Sequence, residues 1–120
     1  MEESGPGKPA ALPRAVQQTH ELLAWLIPRL DHFPRARRFT LGERLETGLL
    51  AILEDLVDAA YRRDKQEVLA RANRRLAVVR HLWRLAYELK LLNLRRYEYG
   101  SRLLDDLGRQ IGGWRRSQPS

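Results

Sequence analysis

Apolar positions along this 120-residue chain recur at gaps of three and four, the repeat of one face of an α-helix, in four separate blocks. The clearest block covers residues 64–92 and contains neither Pro nor Gly. Within it Leu69, Ala72, Leu76, Val79, Trp83 and Ala86 share one face. Asp64, with Glu67 three residues on, is a capping-box pattern, in which two side chains satisfy backbone donors left orphaned at a helix start. The helix is therefore expected to open at Asp64 and to end near Leu91 or Leu92. A second apolar line, Val78, Leu82, Leu85 and Leu89, runs beside the first. A helix apolar on two sides packs on two sides, so this line is the expected oligomer interface, with Trp114 as a further packing anchor.

The other blocks predict three more helices. The first spans 15–30, with Val16, His20, Leu23 and Ile27 on one line and Leu22, Leu26 and Leu30 beside it. Pro28 should kink its last turn or end it early, because proline lacks an N–H and crowds the preceding turn. Residues 31–39 read as the longest interior loop, with Pro34 keeping the preceding residues extended. Thr40 and Glu43 form a second capping box, opening a helix whose stripe is Leu41, Leu45, Leu49, Ile52, Leu53, Leu56 and Ala60. Its opposite side is acidic (Glu46, Glu54, Asp55, Asp58), and Arg62 and Arg63 sit at its negative pole. Asn93 is the expected cap of the last helix. That helix should run to about Ile111, with Tyr97, Gly100, Leu104, Leu107 and Ile111 inward, and stop at Gly112-Gly113. Short connections make consecutive helices antiparallel neighbours. The expected fold is all-α, an antiparallel up-down four-helix bundle over 14–114, between a flexible tail (1–13) and a polar end (115–120).

Charge adds a functional direction. The formal net charge is +7, and 22 Lys and Arg stand against 15 Asp and Glu. So basic a chain favours acidic partners, with nucleic acid first and an anionic membrane or acidic protein surface second. Nearly all the cations are Arg, whose fork suits phosphate and carboxylate, although an Arg-rich composition also follows from genome or growth-temperature bias. The most specific feature is the third helix. Arg74, Arg80 and Arg84 share a face with His81, with only Glu88 nearby, and Arg71 and Arg75 extend the charge along its flank. Phosphate binding is one reading. The other is charge pairing with the acids of the second helix, including a head-to-tail contact between subunits. Arg37 and Arg38, with Arg35, form a second basic cluster in the loop. On the last helix Arg95, Arg102 and Arg109 are interleaved with Glu98, Asp105 and Asp106, which reads as a salt-bridged outer face. Trp83, Tyr87 and Tyr97 read as core.

Several functions are disfavoured. Without Cys there is neither a disulfide nor a thiolate metal site. The three His have no metal-ligand spacing, no Gly-rich phosphate loop occurs, and Ser is never in a nucleophile context. No catalytic residue, cofactor or metal is expected. No apolar run reaches the roughly 20 residues that span a membrane, and the first residues lack the order of a secretory signal, so a cytoplasmic location is expected.

Four stretches together resemble a known family. They are FPRARRFTLGERL (33–45), LWRLAYELKLL (82–92), YEY (97–99) and LLDDLGRQIGGW (103–114). In this order they are similar to the accessory variability determinant proteins of diversity-generating retroelements. These belong to a wider group of small four-helix bundles that includes proteins encoded in ribosomal RNA intervening sequences. The likeness covers 22–114, and the terminal GGW marks the retroelement branch. The resemblance implies a ring-shaped homopentamer with a positive surface and no catalytic residues. Such a ring binds RNA or DNA, associates with the element's reverse transcriptase and is required for mutagenic copying. It places the basic role on Arg71, Arg74, Arg75, Arg80, Arg84, Arg37 and Arg38. An intervening-sequence-type protein, or a scaffold whose basic face meets acidic protein, are the alternatives.

Overall fold

The computed structural model describes residues 13–119, and no strand occurs among them. Four long helices carry the fold: α1 (Arg14–Leu30), α2 (Glu43–Tyr61), α3 (Gln66–Glu88) and α4 (Leu94–Arg116). Each packs on the next in sequence, and α4 packs back on α1. Their apolar stripes meet in one core, consistent with a four-helix bundle. The expected stripes of α2 and α3 are buried apart from a half-buried Leu53. On α1 the buried line is Val16, Thr19, Leu22, Leu23, Leu26 and Leu30, while His20 faces solvent. Thr19 is wholly buried because its hydroxyl donates to the Ala15 carbonyl at 2.7 Å. No helix among the described residues is long and apolar enough to cross a membrane. The expected tail lies outside the described residues apart from Pro13.

Helix boundaries depart from the sequence reading in informative ways. Pro28 does not end α1, which continues to Leu30. Pro28 and Ala24, the residue whose carbonyl loses its donor, are both solvent-exposed, so water can serve that carbonyl. Nor is 31–39 all loop. An α-turn (Arg35–Arg37) and a π-turn (Arg38–Gly42) lead directly into α2. Pro34 stands immediately before the first turn, where its fixed φ and missing N–H cost nothing. Thr40 therefore lies inside a helical segment, and its hydroxyl bonds back to the Ala36 carbonyl at 3.0 Å instead of forming the expected box with Glu43. The π-turn leaves Phe39 outward, 63% exposed, while Leu41 stays in the core.

The box at Asp64 is also absent. The α3 N-cap is Lys65, without a side-chain cap bond. The Asp64 carboxylate accepts from the Gln66 N–H at 3.3 Å, and Glu67 reaches Arg74 instead. Lys65 folds back to donate to the Ala59 and Arg62 carbonyls, closing the negative pole of α2. α3 ends at Glu88, short of Leu91, through a left-handed residue at Lys90 (φ 66°). There the Leu91 N–H donates to the Ala86 carbonyl and the Lys90 N–H to the Tyr87 carbonyl, each at 2.9 Å, which ends the helix by a Schellman turn. Asn93 caps α4 as expected, accepting from the Arg96 N–H at 2.8 Å. Gly112-Gly113 does not stop α4. A helical glycine costs about 1 kcal/mol relative to alanine but forbids nothing. Ile111 and Trp114 pack on the core around the pair and carry the helix to Arg116.

Two contacts set the spacing of the helices. Trp83 is 1% exposed, and its indole N–H donates to the Tyr97 carbonyl at 3.0 Å. Its ring lies so close to α4 that a Cβ at Gly100 would sit 2.4 Å from Trp83 Cζ2. Between α2 and α3, Asp55 is buried rather than on an outer acidic face. Its two oxygens take Arg71 Nη2 at 3.0 Å and Arg75 Nε at 2.9 Å. Both arginine side chains remain more than two-fifths exposed, so their charge is only partly desolvated.

Gly100→Ala should destabilise the protein by about 2 kcal/mol, because overpacking against a rigid ring outweighs the gain in helix propensity. Gly113→Ala, whose nearest atom is the flexible Arg116 Nη2 at 3.8 Å, should instead stabilise by about 0.5–1 kcal/mol. Urea unfolding of both variants checks the contrast in sign. Asp55→Ala should cost about 1–3 kcal/mol in the same measurement, since the fold loses a buried acceptor of two charge-assisted bonds.

Candidate nucleic-acid interface

The seven arginines singled out by the sequence fall into four places, three on α3 and one in the lead-in to α2. Arg71 and Arg75 lie on the flank of α3 turned to α2 and clasp Asp55. Arg80 lies on the flank turned to α4, where its Nη2 is 3.7 Å from Asp105 and 3.4 Å from the Leu104 carbonyl. It passes directly over Gly108, where any Cβ would be 2.2 Å from the guanidinium. Arg74 and Arg84 stand on the open face of α3, paired with Glu67 at 3.1 Å and Glu88 at 3.0 Å. Both members of these two pairs are at least half exposed, and such pairs are worth about 0–1 kcal/mol, so they open readily to a stronger acceptor. The α3 face is thus more balanced than its own sequence suggests. Glu67 and Glu88 lie on α3 itself, whereas Asp55, one of the second-helix acids named as possible partners, and Asp105 arrive from other helices.

Arg80, His81 and Arg84 rim a cleft of about 400 Å³ between α3 and α4, floored by Trp83 and Tyr97, with Asp105 on its wall. The Tyr97 ring stacks on Tyr87, with centroids 4.5 Å apart. These aromatics are packing groups first, as their spacing implied.

In the lead-in to α2, Arg38 is held by Asp31 at 3.2 Å and Glu46 at 2.9 Å, tying the end of α1 to α2. Its guanidinium is raised above the ordinary arginine value, chiefly by the hydrogen bond to Glu46, with Asp31 adding and burial opposing. Arg37 has no carboxylate partner among the described residues. It lies on a groove of about 590 Å³ between the lead-in and α3, with Phe39, Leu82, Leu85 and Leu89. Val78, Leu85 and Leu89, half of the expected interface line and more, are 51%, 41% and 45% exposed. Leu82 and Trp114 are instead partly buried against the chain's own core.

Four further arginines without a carboxylate partner among the described residues were not singled out. A cleft of about 380 Å³ between α1 and α4 is lined by Trp25, Arg29, Arg95, Arg96, Tyr99 and Arg102. No carboxylate lines it, and none of its four arginines has a carboxylate partner among the described residues. The expected outer ion pairs of α4 exist only in part. Arg109 pairs with Asp106, but Asp105 turns to Arg80, and Arg102 lies over the Tyr99 ring at 5.7 Å. Arg29 sits over Trp25 at 5.1 Å and donates to the Trp25 carbonyl at 3.2 Å. The Trp25 and Tyr99 rings are 5.0 Å apart, and Tyr99 is 42% exposed. Arg95 and Arg96 occupy the first turn of α4, which holds no acidic residue. Cations at this positive pole are unfavourable by about 0.3–1 kcal/mol each. That breach of a local rule was readable in the sequence; the convergence with α1 was not.

No group of three or more His, Asp or Glu placed to hold a metal occurs among the described residues. What the surface offers chemically is a set of forked donors and a few exposed rings.

Comparison with known proteins places this arginine-rich helical chain. No curated protein matches it. The profile of the bAvd-like family does match, over residues 15–118, from the second residue of α1 to beyond the end of α4. The chain belongs to the bAvd-like family, the accessory variability determinant group that its motifs resemble.

Proposed function

We propose that this chain is a non-catalytic, nucleic-acid-binding accessory protein of a diversity-generating retroelement. It associates with the element's reverse transcriptase and supports mutagenic copying. Family membership over nearly the whole described chain is the observation that carries this reading. The positive balance supports it, since exposed arginines exchange weak carboxylate pairs for phosphates with release of counterions. Phosphate contacts carry no sequence information, so binding is broad in sequence and steep in salt.

The same reading includes an up-down bundle that assembles into a ring-shaped homo-oligomer, a pentamer by family resemblance. The short links 62–65 and 89–93 support antiparallel neighbours. The exposed apolar residues Val78, Leu85, Leu89 and Phe39 supply a surface for a neighbouring subunit. One observation favours a second reading, in which the bundle scaffolds other proteins. Every α3 arginine already has a carboxylate partner within the chain, so the face is suited to exchanging charge pairs with acidic protein.

Charge reversal of Arg74, Arg80 and Arg84 together should weaken RNA or DNA binding at low salt by at least tenfold without unfolding the helices, as read by anisotropy and circular dichroism. Unchanged affinity would remove the α3 face from the interface, and loss of assembly without any nucleic-acid binding by the parent protein would favour the scaffold. Val78→Glu with Leu85→Glu should reduce the particle mass in light scattering toward a single chain. A mass unaffected by both changes would place the subunit contact elsewhere.

A further inference from the structure

We propose that the α1/α4 cleft is a site for single-stranded nucleic acid, in which Arg29, Arg95, Arg96 and Arg102 take phosphates and an unpaired base stacks at Tyr99. The proposal rests on the nucleic-acid reading above and deepens it by naming the strand form and the site.

Three observations converge. The cleft gathers four guanidinium groups with no carboxylate on its walls, whereas the α3 arginines all have one. Four cations lining one cleft repel one another, and an anion between them relieves that repulsion. Second, cations stand at the positive pole of α4, a placement that helix stability alone opposes. The helix dipole at that pole favours a phosphate, although the Arg96 N–H itself is already taken by Asn93. Third, the cleft holds aromatic surface as well as charge. Tyr99 is partly open to solvent, and the Arg102 guanidinium carbon lies over its ring at 5.7 Å from the centroid. A base can take the place of that guanidinium or stack upon it, leaving the Arg102 donors for the adjoining phosphate.

The strand form follows from access. In a duplex the base faces are covered by their neighbours and cannot reach Tyr99. In a single strand a base turns out of the chain while its phosphates stay on the arginines. The cleft volume, about 380 Å³, falls at the small end of the range of about 300–1,000 Å³ that encloses small ligands, which suits one nucleotide at a time. Either RNA or DNA satisfies this chemistry, so both are assayed.

The test uses the full chain and fluorescein-labelled 20-nucleotide oligouridylate, oligothymidylate and a duplex of equal length. Affinity is measured by anisotropy over a salt series. R95Q/R96Q/R102Q is expected to weaken both single strands at least tenfold and to lower the slope of log affinity against log salt by about 2, since about 0.7 is lost per phosphate contact. Tyr99→Leu is expected to weaken single strands about fivefold or more and leave the duplex unchanged, while Tyr99→Trp retains binding. These side chains are exposed or line the surface, and thermal unfolding by circular dichroism verifies that each variant is folded. Single-strand binding unaltered by the triple change, with loss on reversing Arg74, Arg80 and Arg84, would overturn the cleft and leave the broader function standing. Equal weakening of duplex and single strand by Tyr99→Leu would overturn the stacking. A parent protein that binds none of the three probes at low salt would remove the nucleic-acid reading as well.

Discussion

The contact between Trp83 and Gly100 fixes how closely α3 and α4 approach, and much of the surface chemistry follows from it. The indole is almost wholly buried, yet its N–H needs an acceptor, which it finds in the Tyr97 carbonyl on the same stretch of α4. Only a residue without a Cβ leaves room for the ring. Two turns on, Gly108 leaves room for the Arg80 guanidinium, and Leu104 lies between them in the core. Positions 100, 104 and 108 follow the four-residue ridge along which helices interlock. That ridge is thus cut away twice, once for an aromatic ring and once for a cation. From Trp83 the aromatic contacts continue edge-on to Trp25 at 6.0 Å and from Trp25 to Tyr99. The core seam therefore reaches the surface as the floor of the α1/α4 cleft.

Charge is distributed by the same packing. Bringing α2 and α4 against α3 carries Asp55 to one flank and Asp105 to the other. The basic face is partly neutralised from both sides, leaving Arg74 and Arg84 with weak local pairs in water. Part of the excess lies on α4 and the facing side of α1, in the cleft lined by Arg29, Arg95, Arg96 and Arg102, and part elsewhere, as at Arg37. A net charge of +7 says only that such an excess exists. Which helix faces share acids decides where it lies.

The sequence was most legible where one segment decides its own structure. The apolar stripes placed the core, and Asn93 capped α4, because periodicity and a single cap bond need no distant partner. The capping boxes failed where another interaction competed. Pro34 started a helix upstream of Thr40, and the carbonyls at the end of α2 drew Lys65 back before Asp64 could cap. Gly112-Gly113 misled because glycine permits a stop without imposing one, and Trp114 had core to pack against. Charge pairing between the α3 arginines and the acids of the second helix was one of two readings of the sequence, but which acid takes which arginine was not legible in it. Asp55 lies 16 and 20 residues from its partners, and Arg29 stands 66 residues before Arg95, distances at which spacing along a chain says nothing about proximity.

The preponderance of Arg over Lys can be weighed against compositional bias by what the guanidiniums do. Arg29, Arg35 and Arg102 lie over Trp25, Phe39 and Tyr99, each within 6 Å of a ring centroid. A guanidinium over a ring gains cation–π attraction while most of its N–H donors stay available to a ligand. An ammonium on a flexible stem would gain the same charge but not the fixed fork. Bias in composition would scatter arginine without regard to aromatics. Two of these three pairs instead belong to one cleft, where neighbouring cations oppose one another and an anion bound between them relieves that repulsion.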